Sequence, residues 1–222
     1  MTLKYSCRGE VTLGKHPSKN PLPSAYQKNI SGILLAAGLS TRMGEPKQLL
    51  PFGESTIIET VVDSMLGSKF DEVIVVVGHC AAQIREQLAE RPVKIVFNPD
   101  YHEGMLTSAQ AGIRALNVSD AFALMLVDQP LITPALIDQV IDAYVRTDKR
   151  IALPSYNYKR GHPVIFHREY ADNILALGVE SGGVRTLFKR YADDIHYVTV
   201  DTDRVLRDID YREDYERALK EN

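Results

Sequence analysis

An α/β fold, single-domain, with a mainly parallel open sheet and helices on both faces, is predicted by three features of this sequence. Continuously apolar, β-branched runs recur along the chain, amphipathic stretches alternate with them, and no internal repeat or low-complexity block interrupts the alternation. The first run, residues 30–36 (ISGILLA), reads as a buried strand. A glycine-bearing loop follows, then a helix over residues 55–66 with apolar Ile57, Ile58, Val61, Val62 and Met65 on one side. Residues 72–77 (EVIVVV) carry the unbroken β-branched pattern of a strand buried on both faces. A helix over 81–90, a strand over 93–97, a helix over 106–116 and a strand over 121–127 continue the alternation. Thr133 reads as an N-cap and Pro134 as the first residue of a helix reaching about residue 145. Strands are expected over 151–154, 164–166 and 196–200, and helices over 170–177, 184–191 and 212–220. Residues 1–29, with Pro17, Pro21 and Pro23 and no sustained periodicity, read as a flexible N-terminal extension without an assigned role. The domain then spans residues 30–222.

Composition narrows the function classes. The 222 residues suffice for one α/β domain with a sizeable core, and 45% hydrophobic with 25% charged residues is ordinary for a globular protein. A formal net charge of −3 gives no basic face for nucleic acid, so anionic ligands must be drawn by local charge. No apolar run approaches the roughly 20 residues that span a bilayer, and no apolar signal core opens the chain. Cys7 and Cys80 are too few and too far apart for a disulfide framework. A reduced, cytoplasmic setting is the expectation, without nucleic-acid or membrane partners.

The most informative stretch is residues 35–53, LAAGLSTRMGEPKQLLPFG. It places Arg42 and Lys47 in a loop between a strand and a helix, where backbone N–H groups can converge on phosphate oxygens and cations can neutralise them. The spacing is neither GxxxxGK[ST] nor GxGxxG. An ordinary surface loop is the bland alternative. Ligands of open α/β sheets bind outside the carboxyl ends of the strands, and this loop, Asn98 and Asp128 all fall at such ends. Asp128 follows the apolar FALMLV, where a carboxylate would reach the crevice and offer oxygen to Mg²⁺. A turn aspartate before Pro130 is the equal alternative on these residues alone.

Residues 35–53 resemble the signature of the nucleotidyltransferases that activate molybdopterin, in particular the molybdenum-cofactor cytidylyltransferases, whose pattern runs close to LAAGxSxRMGxxKxLLPFxG. The resemblance extends in the same order through residues 98–112 (NPDYHEGMLTSAQAG), 127–131 (VDQPL), 161–163 (GHP) and 208–215 (DIDYREDY). It implies a Rossmann-like nucleotidyltransferase fold and transfer of CMP from CTP to the terminal phosphate of molybdopterin or the molybdenum cofactor, releasing pyrophosphate. Arg42, Lys47 and Asp128 are the implied catalytic residues. Leu35, Ala36, Ala37, Gly38, Ser40, Asn98, Gly104 and Ser108 are implied at the nucleotide beside Arg42 and Lys47. Mg²⁺, with Mn²⁺ as the substitute, would sit on Asp128 and Asp210, with Asp208 the weaker candidate. Where the family reads DIDTPED this chain reads DIDYRED, which puts the start of the last helix in doubt but leaves the aspartates, and Asp214 suits its first turn.

Gly161, His162, Pro163 and Arg185 are implied at the acceptor. Ala36-Ala37-Gly38 favours CTP over the AGG associated with GTP. Each role has its plain counterpart: a surface lysine or arginine for Lys47 and Arg185, a helix-turn hydroxyl for Ser108, a turn for Gly104, a structural histidine for His162. His79 and His102 lack partners at metal-ligand spacing and read as structural or surface residues. Two other functions compete. One is a nucleotidyltransferase that uses GTP or activates a sugar or alcohol phosphate. The other is a non-catalytic carrier that hands cofactor to a molybdenum hydroxylase apoenzyme, a partner the enzyme reading shares.

Overall fold

A computed structural model describes residues 28–221 of the chain. The extension expected over residues 1–29 lies outside them except for Lys28 and Asn29.

The chain enters the middle of the sheet as β1 (Ile30–Ala36). A short hairpin of β2 (Pro51–Phe52) and β3 (Ser55–Thr56) precedes α1 (Ile57–Leu66), β4 (Glu72–Val77), α2 (Ala81–Gln87) and β5 (Lys94–Phe97). Then come α3 (Met105–Arg114), β6 (Ala121–Leu126), α4 (Pro134–Arg146), β7 (Ile151–Tyr156), β8 (Lys159–Arg160) and β9 (Val164–His167). The chain finishes with α5 (Tyr170–Leu175), α6 (Arg185–Arg190), β10 (Ile195–Thr199) and α7 (Arg212–Leu219). The sheet order is β10-β7-β9-β6-β1-β4-β5, with β8 paired to the end of β7. It is mostly parallel. β9 runs antiparallel to both β6 and β7, because the tight turn at Asn157 and Tyr158 sends the chain straight back.

The continuous apolar runs follow from burial on both faces. Leu34, Ala36, Val73, Val75, Val77 and Met125 point to one side, where α1, α2, α4 and α7 pack. Ile33, Leu35, Ile74, Val76, Phe122 and Leu124 point to the other, against α3, α5 and α6. Helix α3 lies unusually near β1. A side chain on Gly112 would come within 2.4 Å of Ile33 Cγ2, so only glycine permits this approach.

The helix expected from residue 55 begins two residues later. Ser55 and Thr56 pair with Phe52 and Pro51, and Thr56 is the N-cap: its Oγ1 accepts from Glu59 N (3.4 Å) while Glu59 Oε2 accepts from Thr56 N (2.8 Å). Thr133 caps α4 as expected, with Pro134 at its first position. Helices α2, α3, α5 and α6 stop one to three residues short of the expected ends. Replacement of Thr-Pro by Tyr211-Arg212 does not cost the last helix its start, since Asp214 Oδ2 accepts from Tyr211 N (3.0 Å).

Candidate active site

From β1 the chain builds outward through β4 and β5, then crosses to the other side of β1 for β6. The carboxyl ends of β1 and β6 therefore leave a crevice at the switch point. The loop after β1 forms one wall of it, and Gln48 holds that loop in shape. Fully buried, Gln48 donates from Nε2 to Ala36 O (3.3 Å) and Gly38 O (2.8 Å), while its Oε1 accepts from Ser40 Oγ (3.1 Å). Ser40 Oγ in turn accepts from Lys47 N (3.1 Å), and Ser40 sits at φ +53°. The backbone N–H groups of residues 38–42 donate to no backbone or side-chain acceptor among the described residues, and these residues line the crevice.

Inside this wall is a cavity of about 370 Å³. At its base the Lys47 ammonium spends all three protons on Asp128 Oδ2 (2.8 Å), Ile209 O (2.9 Å) and Asp210 Oδ1 (3.2 Å). Arg42 Nη1 donates to the other oxygen of Asp210 (2.8 Å). Four residues from three distant parts of the chain thus form one ion-pair net. The β6 end supplies Asp128, and the segment after β10 returns to supply Asp210, pinned by Ile209 N on Asp128 O (2.8 Å).

Two carboxylates collected on one cation are the right donors for a hard divalent ion that shares substrate phosphates. Asp128 Oδ1 is buried and has no hydrogen-bond partner, so an oxygen is free for such an ion. Among the described residues no group of three His, Cys, Asp or Glu side chains is placed to hold a metal unaided. The site fits Mg²⁺ arriving with phosphate and water, not a closed protein cage. Asp208 turns elsewhere: its Oδ1 accepts from Gln129 Nε2 (2.7 Å), and it lines a separate hollow below α7. Loss of water contact, then the charge of Asp128, pushes its carboxyl upward.

Not all implied nucleotide residues reach the cavity. Leu35, Ala37, Gly38, Ser40, Gly104 and Ser108 line it with Arg42 and Lys47. Ala36 does not: it is fully buried in β1, and its carbonyl accepts from Gln48. Asn98 is 2% exposed and lies behind the wall, donating from Nδ2 to Thr107 Oγ1 (2.9 Å) and Ser108 Oγ (3.0 Å). It positions the first turn of α3. The Ser40 hydroxyl is spent within the loop, so its part is structural at Oγ and polar only at N–H. Tyr101 and His102, the latter read as structural or surface, are on the cavity wall. Tyr101 packs so closely over Gly78 that a side chain there would strike its Cβ at 2.5 Å. Both fall in the segment 98–112 that carries the family resemblance, but neither is singled out by it.

A second cavity, about 630 Å³, adjoins the first across Leu35, Met105 and Leu126. Its floor is the apolar face of β6 and β9, and α6 closes one side. Gly161, His162 and Arg185 line it, while Pro163 is buried behind them after a cis peptide. Gly161 is there for packing: a Cβ would sit 2.4 Å from Val205 O. Burial, then the Arg185 charge, lowers His162 to a pKa of about 4, so its imidazole is neutral at pH 7. Arg160 and Lys189, missed in the sequence, also line this cavity.

Residues 32–195 match the MobA-like NTP transferase domain family. The chain belongs to it. A family member 30% identical, aligned over 84% of this chain and 93% of its own length, is the molybdenum cofactor cytidylyltransferase of Escherichia coli K12. Nicotine blue oxidoreductase of Paenarthrobacter nicotinovorans is 26% identical over 86% of this chain and 96% of its own. A probable molybdenum cofactor guanylyltransferase of Mycobacterium avium is 28% identical over 88% and 97%. Among solved structures, Rv0371c of Mycobacterium tuberculosis superposes with a TM-score of 0.76 at 29% identity, covering 87% of this chain and 98% of that one. Its complex with manganese gives 0.72 at 27% identity over 87% and 100%. The protein is a nucleotidyltransferase of Rossmann-like fold, and no helix among the described residues is long and apolar enough to cross a membrane.

Proposed function

We propose that this enzyme transfers CMP from CTP to the terminal phosphate of molybdopterin or its molybdenum-loaded form. The observation that carries the reading is the contact between the two cavities: a phosphate-suited cradle opens directly onto a larger apolar cleft rimmed by cations. The triphosphate lies in the first, against Arg42, Lys47 and the free N–H groups of residues 38–42. The acceptor lies in the second, near His162 and Arg185. An oxygen of the acceptor phosphate attacks the α-phosphorus in line, the bond from that phosphorus to the bridging oxygen breaks, and the pair leaves on pyrophosphate. Lys47 and Arg42 offset the charge of the two anions brought together, and Ser108 and Gly104 border the nucleotide. Held by Asp128 and Asp210, Mg²⁺ or Mn²⁺ supplies Lewis-acid polarisation of the phosphates.

CTP is favoured by the wall beside Ala37. Its methyl lies beside Gly78, on which Tyr101 packs, and a methyl in place of hydrogen there narrows the base site against a purine. The relative named for an oxidoreductase shows that the fold alone does not fix the reaction, so the site carries the argument. A cytoplasmic setting and transient delivery to a molybdenum hydroxylase complete the reading.

The test is label transfer from α-³²P CTP to molybdopterin with Mg²⁺, in competition with unlabelled CTP and GTP. CTP is expected to compete at least about tenfold better, and Asp128→Asn to lower the rate by about a hundredfold or more. Better competition by GTP reassigns the base; no transfer with either nucleotide overturns the reading in favour of a carrier.

A further inference from the structure

The two cavities differ in how their cations are matched. In the first, Lys47 and Arg42 are both paired with carboxylates. In the second, no carboxylate lines the wall, and Arg160, Arg185 and Lys189 form no ion pair among the described residues. Three unmatched cations around an apolar floor exceed what one phosphate needs, above all when that phosphate must cross toward the first cavity to react. Arg160 is also the one held in place. Its guanidinium lies 5.3 Å from the ring centre of Phe188 and 5.4 Å from that of Tyr197, and its Nη2 donates to Tyr197 Oη (2.6 Å). These anchors belong to α6 and to β10, the outermost strand, so Arg160 stands on the side of the cavity away from the border at Leu35 and Leu126. Nε and Nη1 keep their donors for a ligand. A guanidinium fixed flat loses less freedom on binding than a free one.

We propose that Arg160 determines acceptor specificity by binding an anionic group other than the attacking phosphate. This rests on the molybdopterin reading, in which that group is the dithiolate or the oxo-metal unit it holds. A thiolate or oxo anion suits a charge-assisted bond from a planar fork. Lys189 and Arg185 hold the remaining charge of the cavity.

The experiment measures two ligands on three proteins. Molybdopterin carries phosphate and dithiolate; 6-hydroxymethylpterin monophosphate carries the phosphate and the pterin alone. Binding of each to the wild type, Arg160→Gln and Arg160→Lys is followed by pterin fluorescence, alongside the KM for molybdopterin and for CTP. Arg160→Gln is expected to weaken molybdopterin by about ten- to a hundredfold, the worth of a hydrogen bond to a charged group, with Arg160→Lys intermediate. The dithiolate-free pterin and the KM for CTP are expected to stay within about twofold. Equal losses for both pterins, or none for either, overturn the assignment, as does a raised KM for CTP, which would mark Arg160 as merely structural. Absence of transfer by the wild type is a different outcome: it sinks the function proposed above, and the pterin-binding comparison then still decides whether Arg160 reads the dithiolate.

Discussion

Lys47 occupies, with its ammonium, the ground between the two carboxylates proposed above as the holders of a metal ion. On the proposed function, Asp128 and Asp210 would hold the ion only if Lys47 and Arg42 gave them up, and phosphate would be the cations' new partner. Such an exchange makes each ligand favour the other by the same factor. Removing the resident cation leaves the carboxylates uncompensated. Lys47→Met is accordingly expected to bind Mn²⁺ about tenfold more tightly without nucleotide, by electron paramagnetic resonance, while losing the gain that CTP brings to the wild type. Unchanged Mn²⁺ affinity would show that these carboxylates do not hold the ion. His162 gives a pH signature. Between pH 6.5 and about 4 the unfolded chain binds a proton that the folded one refuses, so stability present above 6.5 is lost as pH falls through that window. The loss amounts to at most about 3 kcal/mol. Urea unfolding of His162→Gln should show a shallower decline over that range, and parallel profiles would contradict the lowered pKa. That Lys47, Asp128 and Asp210 come together was legible because the motifs name them. Gln48 was not, since a buried amide that ties together a loop leaves no pattern in the residues around it. Arg160 depends on rings at positions 188 and 197, far along the chain and invisible to local spacing.

At the level of elements, the strands were the clearest part of the sequence. Burial on both faces imposes an unbroken apolar run, and residues 30–36 and 72–77 were read with the bounds they have. Polar pieces escaped: β8 is Lys159–Arg160, whose place comes from the turn before it, and β9 reverses because that turn leaves no crossover. Residues 55 and 56 were read as helix for want of a turn signal at Gly53, which takes φ +63°. Their true role makes a prediction. Thr56→Ala removes the acceptor for Glu59 N and should lower stability by about 1 kcal/mol, seen as a shift in the urea midpoint at constant slope. A change well below that would mean Glu59 caps the helix alone.

Across the whole molecule, the arrangement of cavities follows from one crossover and one return. Sheet order puts the ends of β1 and β6 side by side, and the segment after β10 comes back to close the crevice. Tyr215 Oη on Pro51 O (2.6 Å) and Arg212 on Glu45 (2.8 Å) fasten α7 to the loop region that carries Lys47. In refolding from urea, the far-ultraviolet signal of the sheet and helices is expected to recover before CTP binding does, because distant segments pair late. Simultaneous recovery would argue that the site forms with the core. The ion-pair net joins residues 81 and 163 positions apart. A folding chain that has already paired β1 with β4 and β6 therefore still lacks Asp210 beside Lys47, and its cradle has only part of the ion-pair net. The Lys47 ammonium stays two partners short until the segment after β10 has returned, so the crevice closes only once the whole sheet is in place.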